Sequence, residues 1–139
     1  MNNKKKGFTL IELLVVVAII GLLSTLSIVA LNNARARSRD ARRVADVKQV
    51  QTALELYYND NGSYPGSVTF DGNTSIGTGT NTYMAKTPAA PLPADGSCAA
   101  NYTYTVDDSN RSYTIDYCLG SATGGVAAGA HKATPAGIQ

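Results

Sequence analysis

The sequence predicts an α+β fold, in which a long N-terminal helix packs its outer half against a small antiparallel β-sheet. Three observations point there. Residues 13–31 carry no charge over nineteen positions, residues 32–59 contain neither Pro nor Gly, and residues 102–119 alternate Tyr, Val and Ile with Thr and Asp. At 139 residues there is room for one domain of modest core plus one special element.

The apolar run comes first. About twenty apolar residues cross a bilayer core of roughly 30 Å as a helix. Only Gly21, Ser24, Thr25 and Ser27 interrupt the Leu, Val, Ile and Ala of this stretch, so it shows no polar face. It belongs in lipid or in an equally apolar bundle.

The helix has no reason to stop there. In residues 32–59 Val44, Val47, Val50, Leu54 and Tyr57 recur at steps of three and four, the stripe of an amphipathic helix. One continuous helix from Phe8 to Tyr58 is expected, on the order of 75 Å long at 1.5 Å per residue. Asn59-Asp60-Asn61-Gly62 ends it, with Gly62 able to take the left-handed cap and Pro65 blocking resumption.

Residues 62–97 are rich in Gly, Thr, Asn, Ser and Pro and read as a connector without regular structure. A hairpin follows. Its turn is expected at Asp107-Asp108-Ser109-Asn110, pairing Val106 with Arg111, Tyr104 with Tyr113 and Tyr102 with Ile115. Carried outward, this register brings Cys98 to within one residue of a position opposite Cys118. A Cys98–Cys118 disulfide is therefore expected, closing a loop of nineteen intervening residues and contributing roughly 3 kcal/mol by chain entropy. A two-stranded hairpin is not stable alone, and the helical stripe is the surface its tyrosines would cover.

Charge is segregated. Residues 32–59 hold six basic and three acidic groups, +3, whereas residues 60–139 hold three basic and six acidic, −3. A folded part that is mildly acidic argues against a dedicated nucleic-acid site. His131, set among Gly and Ala, reads as solvated tail. Asp107 and Asp108 read as turn chemistry before calcium ligands, and the Asn-x-Ser/Thr triplets at Asn61, Asn73, Asn101 and Asn110 are what a Ser- and Thr-rich chain produces by chance. No Ser/His/Asp set, phosphate loop or metal-spaced cluster appears, so neither an enzyme nor a cofactor is expected.

The informative stretch is Lys4-Lys5-Lys6-Gly7-Phe8-Thr9-Leu10-Ile11-Glu12-Leu13. A secretory signal places its small-residue cleavage site after the apolar run. Here Gly7 precedes it, so a cut at Gly7 discards the lysines and keeps the apolar helix as the new N-terminus. Glu12 is costly where it stands, roughly 2.5–3.5 kcal/mol for an acid within a membrane helix, and such a residue is a functional candidate by default. A new α-amine at Phe8, largely protonated near neutrality, lies one turn away. Pairing a neighbour's amine with Glu12 inside an apolar bundle would fix axial register, because a slip leaves both charges buried and unpaired.

This run, with Val15-Val16-Val17-Ala18-Ile19-Ile20-Gly21, Asp40-Ala41-Arg42-Arg43, Asp46 and residues 53–65, resembles the type IV pilin and type II secretion pseudopilin family over residues 1–65. The resemblance implies a pilin-like fold with a leader, 1–7, removed by a prepilin peptidase that also N-methylates Phe8. It further implies a transmembrane and polymerisation helix, 8–31, an amphipathic helix, 32–61, and a loop-rich β domain, 62–139. Glu12 would guide assembly. The implied subunit spans the inner membrane once, N-terminus cytoplasmic, contacts lipid and an inner-membrane assembly platform, and then joins a homo-oligomeric surface filament. One departure stands out: Val29 occupies a position where the family commonly carries Pro, while Gly21 is kept. Charge counting alone, with five arginines after the apolar run against three lysines before it, would orient the chain the other way; the implied peptidase and the disulfide favour an exported sheet domain. The alternatives are a pseudopilin of a secretion or DNA-uptake machine and, from another class, a membrane-anchored binding domain that never polymerises.

Overall fold

The computed structural model describes residues 7–96, 98 and 101–139. The lysines of the basic cap, Lys4, Lys5 and Lys6, lie outside the described residues. Helix α1 runs Leu10–Asn61 without interruption, passing through Gly21 and Val29. With Val29 in place of a proline no backbone donor is lost at that turn, and one glycine, Gly21, is a weak breaker. The chain forms two compact units, one ending at Arg35 and one spanning Ala36–Gln139.

In the first unit the apolar side chains from Leu10 to Leu31 are exposed. The few hydroxyls bond back to the helix: Ser24 Oγ donates to Ile20 O at 2.7 Å, Thr25 Oγ1 to Leu22 O at 2.8 Å and Ser27 Oγ to Leu23 O at 2.8 Å. The helix thus presents no unsatisfied side-chain hydroxyl to an apolar surrounding.

In the second unit the expected stripe is the buried one. Val44, Val47, Val50 and Leu54 are buried, with Ala53 beside them and Tyr57 packed at the margin. Gly62, at φ 71°, donates its N–H to Tyr58 O at 2.7 Å and ends the helix as expected. A four-stranded antiparallel sheet covers the stripe in the order β3-β4-β5-β6: β3 Thr103–Val106, β4 Tyr113–Leu119, β5 Gly129–Thr134 and β6 Gly137–Ile138. Strand β4 supplies most of the core face, burying Tyr113, Ile115, Tyr117 and Leu119 in strict alternation. Tyr64 stacks edge-on to Tyr113, and Phe70 edge-on to Tyr102, closing the core's far side.

Three expectations need correction. The hairpin register is Tyr104↔Ile115 and Val106↔Tyr113, two residues from the one expected. The cause is Asp107: its carboxylate accepts the N–H groups of Arg111 at 2.7 Å and Ser112 at 3.0 Å, while Asp107 N donates to Ser112 O at 3.0 Å. Asn110 takes φ 53° to close the turn, which moves it to residues 108–111. A slip of two preserves which face each residue occupies, so the tyrosine face still meets the helix.

The connector holds a second small sheet, β1 Ile76–Gly77 paired with β2 Thr82–Met84, joined by reciprocal bonds between Thr78 and Asn81. His131 is no tail residue. It sits on β5 opposite Tyr117, its Nδ1 3.1 Å from Gln139 O and its Nε2 2.7 Å from Ala127 O. Two of the arginines after the apolar run are taken into the fold. Arg43 is buried against Asp40 at 2.9 Å, and Arg39 forms a bidentate pair with Asp95.

Cys98 and Cys118 are joined by a disulfide with Cα atoms 5.3 Å apart. It ties the segment before β3 to the end of β4. The same corner is held by Asp40, which accepts Gly120 N at 3.0 Å and Ser121 N and Oγ at 2.8 Å, and by Arg43, which donates to Pro91 O at 3.0 Å. Asp40 is thus a buried charge with every lone-pair direction used, the condition under which such a charge is tolerated.

Candidate processing and assembly site

Gly7 and Phe8 precede the helix in irregular, exposed backbone, with Phe8 84% exposed. A Cβ added at Gly7 would meet nothing within 4 Å, so no packing demands glycine there. An open, unpaired peptide ahead of a helix is the form in which a protease can take up backbone as an extended strand.

Thr9 then starts the helix. Its Oγ1 accepts the N–H of Glu12 at 3.3 Å, and the Glu12 carboxylate accepts Thr9 N at 2.8 Å and Thr9 Oγ1 at 2.7 Å. This is a capping box, in which two orphan donors of the first turn are satisfied reciprocally. Sequence reasoning weighed only an amine as partner for Glu12 and missed Thr9, although Thr-x-x-Glu ahead of an apolar run is the pattern that signals it.

The box sets the Glu12 carboxylate at the first turn, where the helix N-terminus favours negative charge. Phe8, Ile11, Glu12, Val15 and Val16 line a shallow apolar groove, so the exposed carboxylate stands among apolar side chains. Chemically, this arrangement offers an exposed peptide ahead of the helix and one acid pre-oriented at the start of an apolar, exposed stretch.

Elsewhere, Asp107 offers little to a cation. Oδ1 accepts two backbone N–H groups and Oδ2 accepts Ser109 Oγ at 2.7 Å. The hydroxyl of Ser109 in first place, together with those N–H groups, holds its carboxyl below the usual carboxylate range.

The family model described as the prokaryotic N-terminal methylation motif matches residues 2–28. The chain is 32% identical over 121 residues to the type IV major fimbrial protein FimA of Dichelobacter nodosus, covering 87% of this chain and 68% of that protein. It is 31% identical over 98 residues to the type II secretion system core protein G of Dickeya chrysanthemi, covering 69% and 60%. To a fimbrial protein of Neisseria meningitidis serogroup B it is 36% identical over 81 residues, covering 58% of this chain and 45% of that protein. The chain thus spans between about half and two thirds of these relatives' lengths. No solved structure matches it with significance. By the methylation motif and the extent of these matches, the chain belongs to the type IV pilin and type II secretion pseudopilin family.

Proposed function

We propose that this chain is the structural subunit of a type IV pilus-like filament. A prepilin peptidase cuts between Gly7 and Phe8 on the cytoplasmic face and methylates the new Phe8 amine. The helix of residues 8–31 then holds the subunit in the inner membrane, with the domain of residues 62–139 exported. An assembly platform draws the subunits out, so that residues 8–31 exchange lipid for the helices of other copies.

The observation that carries this function is Glu12, the single acid of residues 10–31, pre-oriented by Thr9 on a stretch whose apolar side chains are exposed. A plain membrane anchor has no use for it, and insertion disfavours it by roughly 2.5–3.5 kcal/mol. Its use is to receive the amine of a neighbouring subunit, the one cation that processing creates. Thr9 holds the carboxylate until that amine arrives and shares it afterwards.

A second function, subunit of the short fibre of a secretion machine, is favoured by the match to core protein G over 69% of the chain. It uses the same cut, amine and acid. The relatives are structural proteins, and the subunit needs no catalytic group of its own.

Glu12→Ala tests the assignment. Leader cleavage and membrane insertion should persist, because the substitution removes a group costly in lipid. Filaments should be lost, because each joint then buries a neighbour's amine without a counter-charge, a defect of about 3–5 kcal/mol by analogy with other broken buried pairs. Glu12→Asp should be intermediate. Electron microscopy of cell surfaces, with immunoblots of cleaved monomer in membranes, reads both effects, and normal filaments from the Ala variant would show that assembly rests on apolar packing alone.

A further inference from the structure

The two cysteines come from different parts of the unit that begins at Ala36, Cys98 ahead of β3 and Cys118 near the end of β4. Each lies within three residues of a point tied to the same short stretch of α1, residues 39–43. Ahead of Cys98, the Asp95 carboxylate accepts Arg39 Nε at 2.8 Å and faces Arg43 Nη1 at 3.5 Å. Beyond Cys118, the N–H groups of Gly120 and Ser121 donate to the Asp40 carboxylate at 3.0 and 2.8 Å. None of these contacts involves a sulfur atom.

The two anchored segments also cross in direct contact. A Cβ added at Gly120 would collide with Asp95, standing 3.1 Å from its carbonyl carbon, so the approach requires glycine there. Gly96, at φ 63°, turns the chain so that Cys98 N donates to Asp95 O at 3.3 Å, which sets Cys98 relative to the Asp95 anchor. Leu119, buried at the end of β4, links Cys118 to the Gly120 anchor. The apolar stripe of α1 attracts the sheet without regard to direction, so it does not fix where these segments meet. The polar contacts do, because a slip leaves Asp40 and Arg43 buried without partners.

We infer that Arg39 and Asp40 of α1 are positioning residues for closure of the Cys98–Cys118 disulfide, holding the two cysteine-bearing segments across each other before the bond forms. The remaining reactant is an external disulfide, a class available in an oxidising compartment. One cysteine thiolate attacks it and displaces a thiol. The other attacks the resulting mixed disulfide, forming the Cys98–Cys118 bond and displacing the second thiol. The chain gives up two protons and two electrons, and the external disulfide takes them up as two thiols. The bond thus seals a sheet already docked on α1, and a chain whose sheet has not docked closes poorly. This role is independent of filament assembly and of Glu12.

The test equilibrates the full chain, in detergent micelles, with mixtures of reduced and oxidised glutathione. Alkylation traps the free thiols, and intact mass then gives the effective concentration of one cysteine at the other. Near-ultraviolet circular dichroism of the tyrosines gives the folded fraction of each reduced chain, which is divided out. The reduced parent should keep the spectrum of the oxidised chain. Asp95→Ala should lower the effective concentration at least about tenfold, toward the mM range of a flexible link. Arg39→Ala should lower it by less, since Arg43 still faces Asp95 at 3.5 Å. Both variants keep the Arg43–Asp40 pair, so neither leaves that buried charge alone. Leu54→Ala, which weakens the packing away from this corner, should stay within about threefold of the parent. A reduced parent without the folded spectrum would mean that the bond itself gathers the segments. An Asp95→Ala value equal to the parent's, or an equal fall in Leu54→Ala, would mean that closure merely follows stability. Any of these three results overturns the positioning role.

Discussion

Aspartates 40, 46 and 95 show how much a single carboxylate can depend on what surrounds it. Asp40 is fully buried and bonded to Arg43 and to the backbone of Gly120 and Ser121. Asp46 is pushed above its ordinary range by burial, which the hydroxyl of Tyr102 at 3.0 Å only partly offsets. Asp95 goes the other way, held below its ordinary 3.8 by the guanidinium of Arg39. Because the folded state lowers Asp95, its ion pair contributes fully above that ordinary value and is lost as pH falls through the folded one. Asp46 has the opposite sign, since the fold favours its protonated form. Asp95→Asn should therefore lower stability near neutral pH and make it fall less steeply on acidification than in the parent. Denaturant midpoints of the full chain in detergent between pH 7 and pH 3 check this, and parallel curves for both chains would show that Asp95 carries no pH dependence. None of this was legible from residues 35–48 read alone, where the arginines count as a flank. Their partners Asp95, Gly120 and Pro91 are more than forty positions away, and no local spacing announces them.

At the scale of elements, periodicity recovered what is local. The step of three and four in Val44, Val47, Val50 and Leu54 is the buried stripe, and the alternation from Tyr113 to Leu119 is the strand that supplies most of the core face. Leu54, with no exposed surface, sits at the centre of that contact. Leu54→Ala should destabilise the unit by about 2–5 kcal/mol through lost transfer energy and the cavity left behind. Chemical denaturation followed by near-ultraviolet circular dichroism of the tyrosines measures it, and a loss well under 1 kcal/mol would mean that helix and sheet are not packed through this stripe. Strand β5 was missed because Gly-Ala-His-Lys-Ala-Thr has a single β-branched residue, Thr134 at its end, and none of the Val, Ile, Tyr or Phe that mark strands. Its conformation is imposed by pairing with β4, with Ala133 opposite Ile115 and His131 opposite Tyr117. The hairpin register slipped by two because turn composition identifies a turn, whereas the bonds of the Asp107 carboxylate decide which residues form it.

For the whole molecule, the sequence is most distinctive at the proposed processing and assembly site. Gly7, Phe8 and Glu12 stand out because each contradicts its surroundings: a small residue ahead of an apolar run, and a charge inside one. Thr9 escaped notice because it fits its surroundings as an ordinary helix start. The central claim is that the chain is made with a polar leader and works without it. Intact mass of the subunit, taken from membranes and sheared filaments of cells with and without the prepilin peptidase, tests this most directly. With the peptidase the chain should begin at Phe8 and carry one added methyl group; without it, the chain should begin at Met1 and no filament should form. A subunit that begins at Met1 in both cells, or that is cut after Leu31, would contradict the account.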